Sequence, residues 1–318
     1  MSEENNNWER GVLEKLAMSA IQEQRRARYW GIFFKVLTFG YLFILLFLFM
    51  GWAGDHADGS LSGDKHTALI ELNGVISADS NANADNLIGS LQDAFKDKNT
   101  AGIIVRINSP GGSPVQAGLV NDEIRRLRGL HPEIPLYVVV EDMCASGGYY
   151  IAAAADKIFV NKASIVGSIG VLMDGFGFTG TMQKLGVERR LMTAGENKGF
   201  MDPFSPRNPR HEAFTQGLLA DIHQQFIDVV KQGRGKRLKE TPEIFSGLFW
   251  TGEQSIKLGL ADEIGSMDSV ARDIIKAEDI VDFTAHENIV DRLAKKFGAG
   301  VASAFSGFGA QVGGVTLR

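Results

Sequence analysis

The sequence predicts an α/β fold with a mostly parallel sheet, preceded by one membrane-spanning helix. Three observations carry this. Apolar runs at 68–72, 103–107 and 136–140 are near-continuous, as strands buried on both faces of a parallel sheet are. Between them lie segments with apolar residues three and four apart, such as Leu87, Ile88, Leu91, Ala94 and Phe95, which form one face of a helix. Finally, residues 36–53 carry no charge and are rich in Leu, Phe and Ile, enough for about one bilayer crossing.

Residues 1–29 are a polar tail with a juxtamembrane helix from about 8 to 28. Residues 30–53 read as a signal anchor. Tyr29, Trp30 and Trp52 stand at its ends, Arg25, Arg26 and Arg28 precede it, and Asp55 and Asp58 follow. The positive-inside rule then puts the N-terminus in the cytoplasm. The rest of the chain falls on the extracytoplasmic (periplasmic) side of the inner membrane. A cleaved signal peptide ending near Ala53-Gly54 is the competing reading; the long tail and extended apolar core count against it. Residues 54–66 are small and polar and read as a flexible stalk. The folded domain is expected over 67–275. Residues 276–318 form a C-terminal extension, Gly-rich toward its end and expected to be mobile.

Within the domain, the 136–140 strand leads through a polar link to Ser146-Gly147-Gly148 and an Ala-rich helix. Further strands are expected at 157–160, 164–172 and 187–192. A long helix over 209–231 carries Phe214, Leu218, Leu219, Ile222, Phe226, Val229 and Val230 at helical spacing. Residues 249–265 give a strand, a helix capped near Thr251 or Gly252, and a Gly stop. Repeated β-then-α units imply right-handed crossovers and a parallel sheet clad by helices.

The net charge of −5 and scattered basic residues give no footprint for nucleic acid. The short basic run at 234–239 reads as a solvated helix end. The single cysteine, Cys144, excludes an intramolecular disulfide and a Cys-based zinc site, and reads as a small buried residue. No metal or cofactor is expected.

A strand, a tight turn bearing a hydroxyl and a helix present Ser146 beside backbone N–H groups, as a nucleophile needs. The same Ser could simply cap the helix. A nucleophilic Ser needs a base. His56 and His66 fall in the stalk, His131 precedes a Pro in a loop, and His211 and His223 occupy polar positions on the long helix. His286 is in the weakly patterned C-terminal region. All read as surface histidines, and none sits in a tight turn with an acidic neighbour. An amine is the alternative, but it serves only when neutral. Its pKa must then fall by about 3 units, roughly 4 kcal/mol, through desolvation. Lys198 follows the strand expected at 187–192 and is flanked by Gly199, Phe200 and Met201, which could cover it. Glu196 nearby fits such a site only if it points away, and a surface lysine is the other reading.

Four segments in order resemble the S49 family of membrane-anchored serine peptidases, the signal peptide peptidase A type. They are Arg106-Ile-Asn-Ser-Pro-Gly-Gly-Ser113, Ala145-Ser-Gly-Gly-Tyr-Tyr-Ile-Ala152, Gly167-Ser-Ile-Gly-Val171 and Gly195-Glu-Asn-Lys-Gly199. The resemblance covers about 67–275 and the N-terminal anchor. It implies a Clp protease/crotonase-like fold of repeated ββα units and a Ser-Lys dyad. Ser146 would be the nucleophile, Lys198 the general base, and Ser168 the group orienting the Lys198 amine. It also implies peptide substrates such as released signal peptides. Several subunits would form a homo-oligomeric ring or dome, with each groove completed by a neighbour.

The oxyanion hole then falls to backbone N–H groups: Gly147, which follows the nucleophile, and Gly112 in preference to Gly111 from the Pro-Gly-Gly turn. Residues 172–178 are apolar and Gly-rich; Met173 and Phe176 could wall a substrate pocket, or the loop could simply pack. Two alternatives have different signatures. A crotonase-like acyl-thioester enzyme needs an acidic acid/base pair and a cytoplasmic site. A non-catalytic peptide-binding scaffold would have lost Ser146 or Lys198, and both are present.

Overall fold

The computed structural model describes residues 2–55 and 64–285, with first-helix side chains described chiefly over 21–48. The chain divides into two units, residues 1–63 and 64–318. The first is a single helix, α1 (Ser2–Asp55), which contains the helix expected from 8 to 28. Its segment Ile21–Leu48 is long and apolar enough to cross a membrane. The Trp30 ring stacks on Phe34 and meets Phe33 edge-on.

The second unit is an α/β domain on an eight-stranded sheet in the order β6-β5-β3-β2-β1-β8, with β4 and β7 off this path. In chain order its elements are β1 (His66–Asn73), α2 (Ala84–Lys96), β2 (Thr100–Ser109), α3 (Pro114–Leu130), β3 (Leu136–Ala145), α4 (Gly147–Ala152), β4 (Lys157–Val160) and β5 (Ile165–Gly167). Then follow α5 (Thr179–Lys184), α6 (Pro209–Arg234), β6 (Phe249–Thr251), α7 (Gly252–Leu258), β7 (Glu263–Ile264), α8 (Met267–Ser269) and β8 (Ile280–Asp282). Every pairing is parallel except β5 with β6. This is the parallel α/β sheet expected, consistent with a Clp protease-like fold.

The apolar runs fill both faces. Ile70, Leu72, Ile103, Val105, Ile107, Val138 and Val140 pack under the helices on one side. Leu69, Ile104, Val139 and Phe159 meet Val270 and Ala271 on the other. Helix starts follow local chemistry: Asn83 caps α2, Ser113 caps α3 ahead of Pro114, and Thr251 forms a reciprocal capping box with Gln254. Gly259, at φ 76°, closes α7.

Five expectations need correction. No strand forms at 187–192: the segment is irregular and exposed, because Glu188, Arg189 and Arg190 interrupt the apolar pattern. The strand expected at 164–172 is only Ile165–Gly167, since Ser168 turns out of the sheet at φ 52°. The sheet also continues past residue 275. There β8 pairs with β1, and the Phe283 N–H donates to the Leu69 carbonyl, although the sequence pattern there is weak. His66 is no stalk residue; it opens β1 and is 4 % exposed. Arg234 is no solvated helix end but 1 % exposed, paired through both terminal nitrogens with Asp262 and donating from Nε to the Gly259 carbonyl. Burial alone would raise the Asp262 carboxyl, yet the hydrogen bonds and charge of Arg234, the Ile158 N–H and the Arg237 charge hold it below the usual carboxylate range. His56, His286 and the tail 286–318 lie outside the described residues, as does most of the stalk.

Candidate active site

The site forms where β3 and β5 end. Their register pairs Cys144 with Val166 and Ala145 with Gly167, so the next residues, Ser146 and Ser168, leave the sheet side by side. Both adopt a left-handed backbone, at φ 51° and 52°. This conformation is costly for a residue with a Cβ and persists only where the surroundings enforce it. Here the Ser146 N–H donates to the Gly167 carbonyl at 2.8 Å, and the Ser168 N–H to the Leu248 carbonyl at 2.7 Å. Gly167, at φ 120°, faces the Trp250 ring, which lies 2.8 Å from where a Cβ would stand. The brace from β6 was not foreseen. Its one sequence signal was the pair of glycines around Ser168, Gly167 and Gly170.

Ser146 occupies the N-cap position of α4, but its side chain makes no capping hydrogen bond. The capping reading therefore fails, and the Oγ is left free of that duty. Behind it, Gly148 closes on Ser109, whose carbonyl would be 3.3 Å from a Cβ. Cys144 is fully buried behind the turn; burial pushes its thiol up, which disfavours the thiolate and any nucleophilic role.

The Pro-Gly-Gly turn lies directly against Ser146. A Cβ on Gly111 would stand 2.6 Å from the Ser146 Cβ and 2.7 Å from the Gly147 nitrogen. A Cβ on Gly112 would stand 2.1 Å from the Ile76 carbonyl oxygen. Both positions admit only glycine. A bridge between Gly112 and Ile76 fixes the turn, with the Ile76 N–H on the Gly111 carbonyl and the Ser113 N–H on the Ile76 carbonyl. The Gly111 N–H donates to Ser109 Oγ, whereas the Gly112 N–H has no partner among the described residues. Gly147 opens α4, so its N–H has no carbonyl within the helix to meet. Two uncommitted amides thus lie beside the Ser146 turn.

Lys198 is placed differently. It sits in an exposed turn within residues 171–208, and its amine makes no hydrogen bond or ion pair among the described residues. Phe200 does not cover it but packs on His211 and Phe214 of α6, at 4.8 and 5.7 Å between ring centres. Glu196 points away, toward Arg210 at 4.0 Å. The structure brings Ser146, Ser168, Gly147, Gly111 and Gly112 together, and Lys198 makes no hydrogen bond to them. Met173 and Phe176 are also exposed, Phe176 to 79 %. Among the histidines, His223 Nε2 lies 3.1 Å from the Ile169 carbonyl, one residue beyond Ser168. A carbonyl only accepts, so this nitrogen carries the proton and cannot act as a base.

The Peptidase family S49 model matches residues 129–280. The chain is 47 % identical over 184 residues to the Na(+)/H(+) antiporter NhaA of Brucella melitensis biotype 1, covering 58 % of this chain and 25 % of that protein. It therefore spans about a quarter of that relative's length. It is 30 % identical over 234 residues to an Enterococcus faecium protein provisionally named signal peptide peptidase SppA, covering 71 % of this chain and 67 % of that one. It is also 30 % identical over 258 residues to a Methanocaldococcus jannaschii protein provisionally named a protease, covering 76 % and 81 %. With a parallel α/β sheet, a family match and these relatives in agreement, the chain belongs to peptidase family S49 and is of the SppA type.

Proposed function

We propose that this protein is a membrane-anchored serine endopeptidase. It hydrolyses hydrophobic peptides, such as released signal peptides, with Ser146 as nucleophile and Lys198 as general base. The observation that carries this is the pair of left-handed serines at the ends of β3 and β5, beside two uncommitted glycine amides. Neutral Lys198 takes the Ser146 proton as Oγ attacks the scissile carbonyl carbon. The N–H groups of Gly147 and Gly112 hold the oxyanion, with Gly111 shaping the turn. When the tetrahedral species collapses, the C–N bond breaks and the lysine proton goes to the leaving amine. Lys198 then deprotonates the water that releases the acyl group. Ser168 orients the Lys198 amine.

An amine works as this base only inside an apolar enclosure. Lys198 is exposed in the single chain, and so is the apolar surface around it. Leu172, Met173, Phe176, Leu185 and Met192 are all exposed, with Met192 at 93 %. Soluble surfaces rarely leave such a patch uncovered. This supports a homo-oligomeric ring or dome in which residues 171–208 of one copy cover the Ser146 turn of the next, bringing Lys198 to it and letting Met173 and Phe176 wall the substrate groove. The basic residues before the apolar span support an N-terminus in the cytoplasm and a peptidase domain on the periplasmic side of the inner membrane.

The test uses the purified full chain in detergent with a fluorogenic hydrophobic peptide and a fluorophosphonate that acylates active serines. Turnover and labelling at Ser146 are expected, and Ser146→Ala removes both. Turnover that survives Ser146→Ala would overturn the proposal.

A further inference from the structure

The left-handed turn at Ser146 has a support that the reaction itself does not use. We propose that Asn121, braced by Arg125, is a positioning residue for the nucleophile turn, acting through the main chain of Tyr150. This inference rests on the serine-peptidase reading given above.

Asn121 is fully buried on the face of α3 that otherwise carries Ala117, Val120, Ile124 and Leu127. An amide there loses its hydration and is tolerated only if both ends are hydrogen-bonded. Both are. Its Nδ2 donates to the Tyr150 carbonyl at 2.6 Å, and its Oδ1 accepts from Arg125 Nε at 2.8 Å. Arg125 also donates from Nη2 to the Val229 carbonyl on α6, at 3.3 Å.

Tyr150 is the residue through which this reaches the site. Its N–H donates to the Ser146 carbonyl at 2.9 Å, closing the first turn of α4. Its carbonyl is one of the orphans at the end of a six-residue helix. The Ala153 and Ala154 N–H groups go to the Tyr149 and Ile151 carbonyls instead, leaving the Tyr150 carbonyl to Asn121. One peptide segment therefore links Ser146 to Asn121, and Arg125 carries the link on to α6. A helix this short holds a strained residue at its start only if its far end is fixed. Asn121 fixes it. Without that amide the turn relaxes, and Oγ and the Gly147 N–H drift together from the attack geometry.

The full chain in detergent supplies the test, with two variants. Asn121→Leu keeps the volume and removes both hydrogen bonds. Arg125→Met keeps the aliphatic stem and removes the brace. Fluorophosphonate titration counts reactive sites, so kcat can be expressed per titrated site. We expect kcat per site to fall about tenfold in Asn121→Leu and about threefold in Arg125→Met, with KM within about twofold. A purely structural role would lower the melting temperature and the number of sites while leaving kcat per site unchanged. If both variants match the unaltered chain in kcat per site, the positioning role is overturned. Should Asn121→Leu fail to fold, Arg125→Met decides alone. If the unaltered chain is not acylated at Ser146, the serine reading falls and takes this inference with it. Acylation with unchanged variants sinks only the inference.

Discussion

The Ser146 turn and the Lys198 segment, both essential to the proposed reaction, are built in opposite ways. The first is closed: it sits on a parallel sheet packed on both faces, its strained backbone is held by Gly167, Gly111 and Tyr150, and its glycines fit against neighbouring atoms. The second is open. Residues 171–208 hold together through local contacts, such as Phe178 stacked on Phe204 and Ser205 donating to Asp202, but bury almost nothing. On the proposed mechanism, the nucleophile turn is built within one chain while the base has still to be brought to it. The contrast shows which half each kind of mutation should damage.

The sharpest break is Lys198→Ala. The account expects turnover to fall about 10³-fold or more, while stability changes by less than about 0.5 kcal/mol, because the side chain is exposed. Peptide assays beside urea denaturation check this. Near-normal turnover would remove Lys198 as the base.

Arg234→Met damages the closed half instead. It removes the bidentate partner of Asp262, leaving the Ile158 N–H and Arg237 at 3.2 Å, and should lower stability by about 2–3 kcal/mol, read from the urea midpoint. A shift under about 1 kcal/mol would show that the pair contributes little to holding α6 on the domain.

A subtler break targets the open half. Phe176→Asp with Met192→Asp should leave domain stability within about 0.5 kcal/mol. It should also shift the proposed assembly to smaller species by light scattering and reduce activity about tenfold. An unchanged assembly would mean that this surface is not an interface.

The smallest effect concerns pH. The folded environment lowers the Asp262 carboxyl below its unfolded value of about 3.9, so the folded state binds this proton less readily. Its contribution is complete above about pH 5 and is lost as pH falls through the folded value. Urea midpoints between pH 6 and 3 should drop, and Asp262→Asn should flatten that drop. An equal slope in the variant would assign the dependence to other carboxylates.

The sheet was legible because its strands are apolar on both faces, and the turn at Ser146 because Ser-Gly-Gly after such a strand and before an Ala-rich run marks a strand-to-helix junction. The preference for Gly112 over Gly111 as amide donor remains part of the proposal, and the Ser109 hydroxyl that accepts from the Gly111 N–H supports it. What sequence pattern could not supply was long-range partnership. Arg234 carries a charge, and nothing local marks Asp262 as its partner 28 residues on. His66 lies beside polar stalk residues, and what encloses it comes from elsewhere in the chain: Thr100 across the sheet, Asp97 at 3.7 Å and the stacked Phe283 ring. The strand expected at 187–192 failed because Glu188, Arg189 and Arg190 break its apolar run, and Val187, Leu191 and Met192 stay exposed. Apolar residues that stay exposed look the same in sequence as those bound for the core.

The most direct test of the central claim is complementation between two inactive chains. Ser146→Ala chains keep Lys198, and Lys198→Ala chains keep Ser146. Each alone should be inactive. Dissociated, mixed in equal amounts and reassembled, they should regain activity at roughly a quarter of the sites, since about half the sites keep Ser146 and about half of those meet a neighbour that keeps Lys198. No recovery from mixed assemblies, shown by light scattering to have reformed, would contradict a site shared between copies.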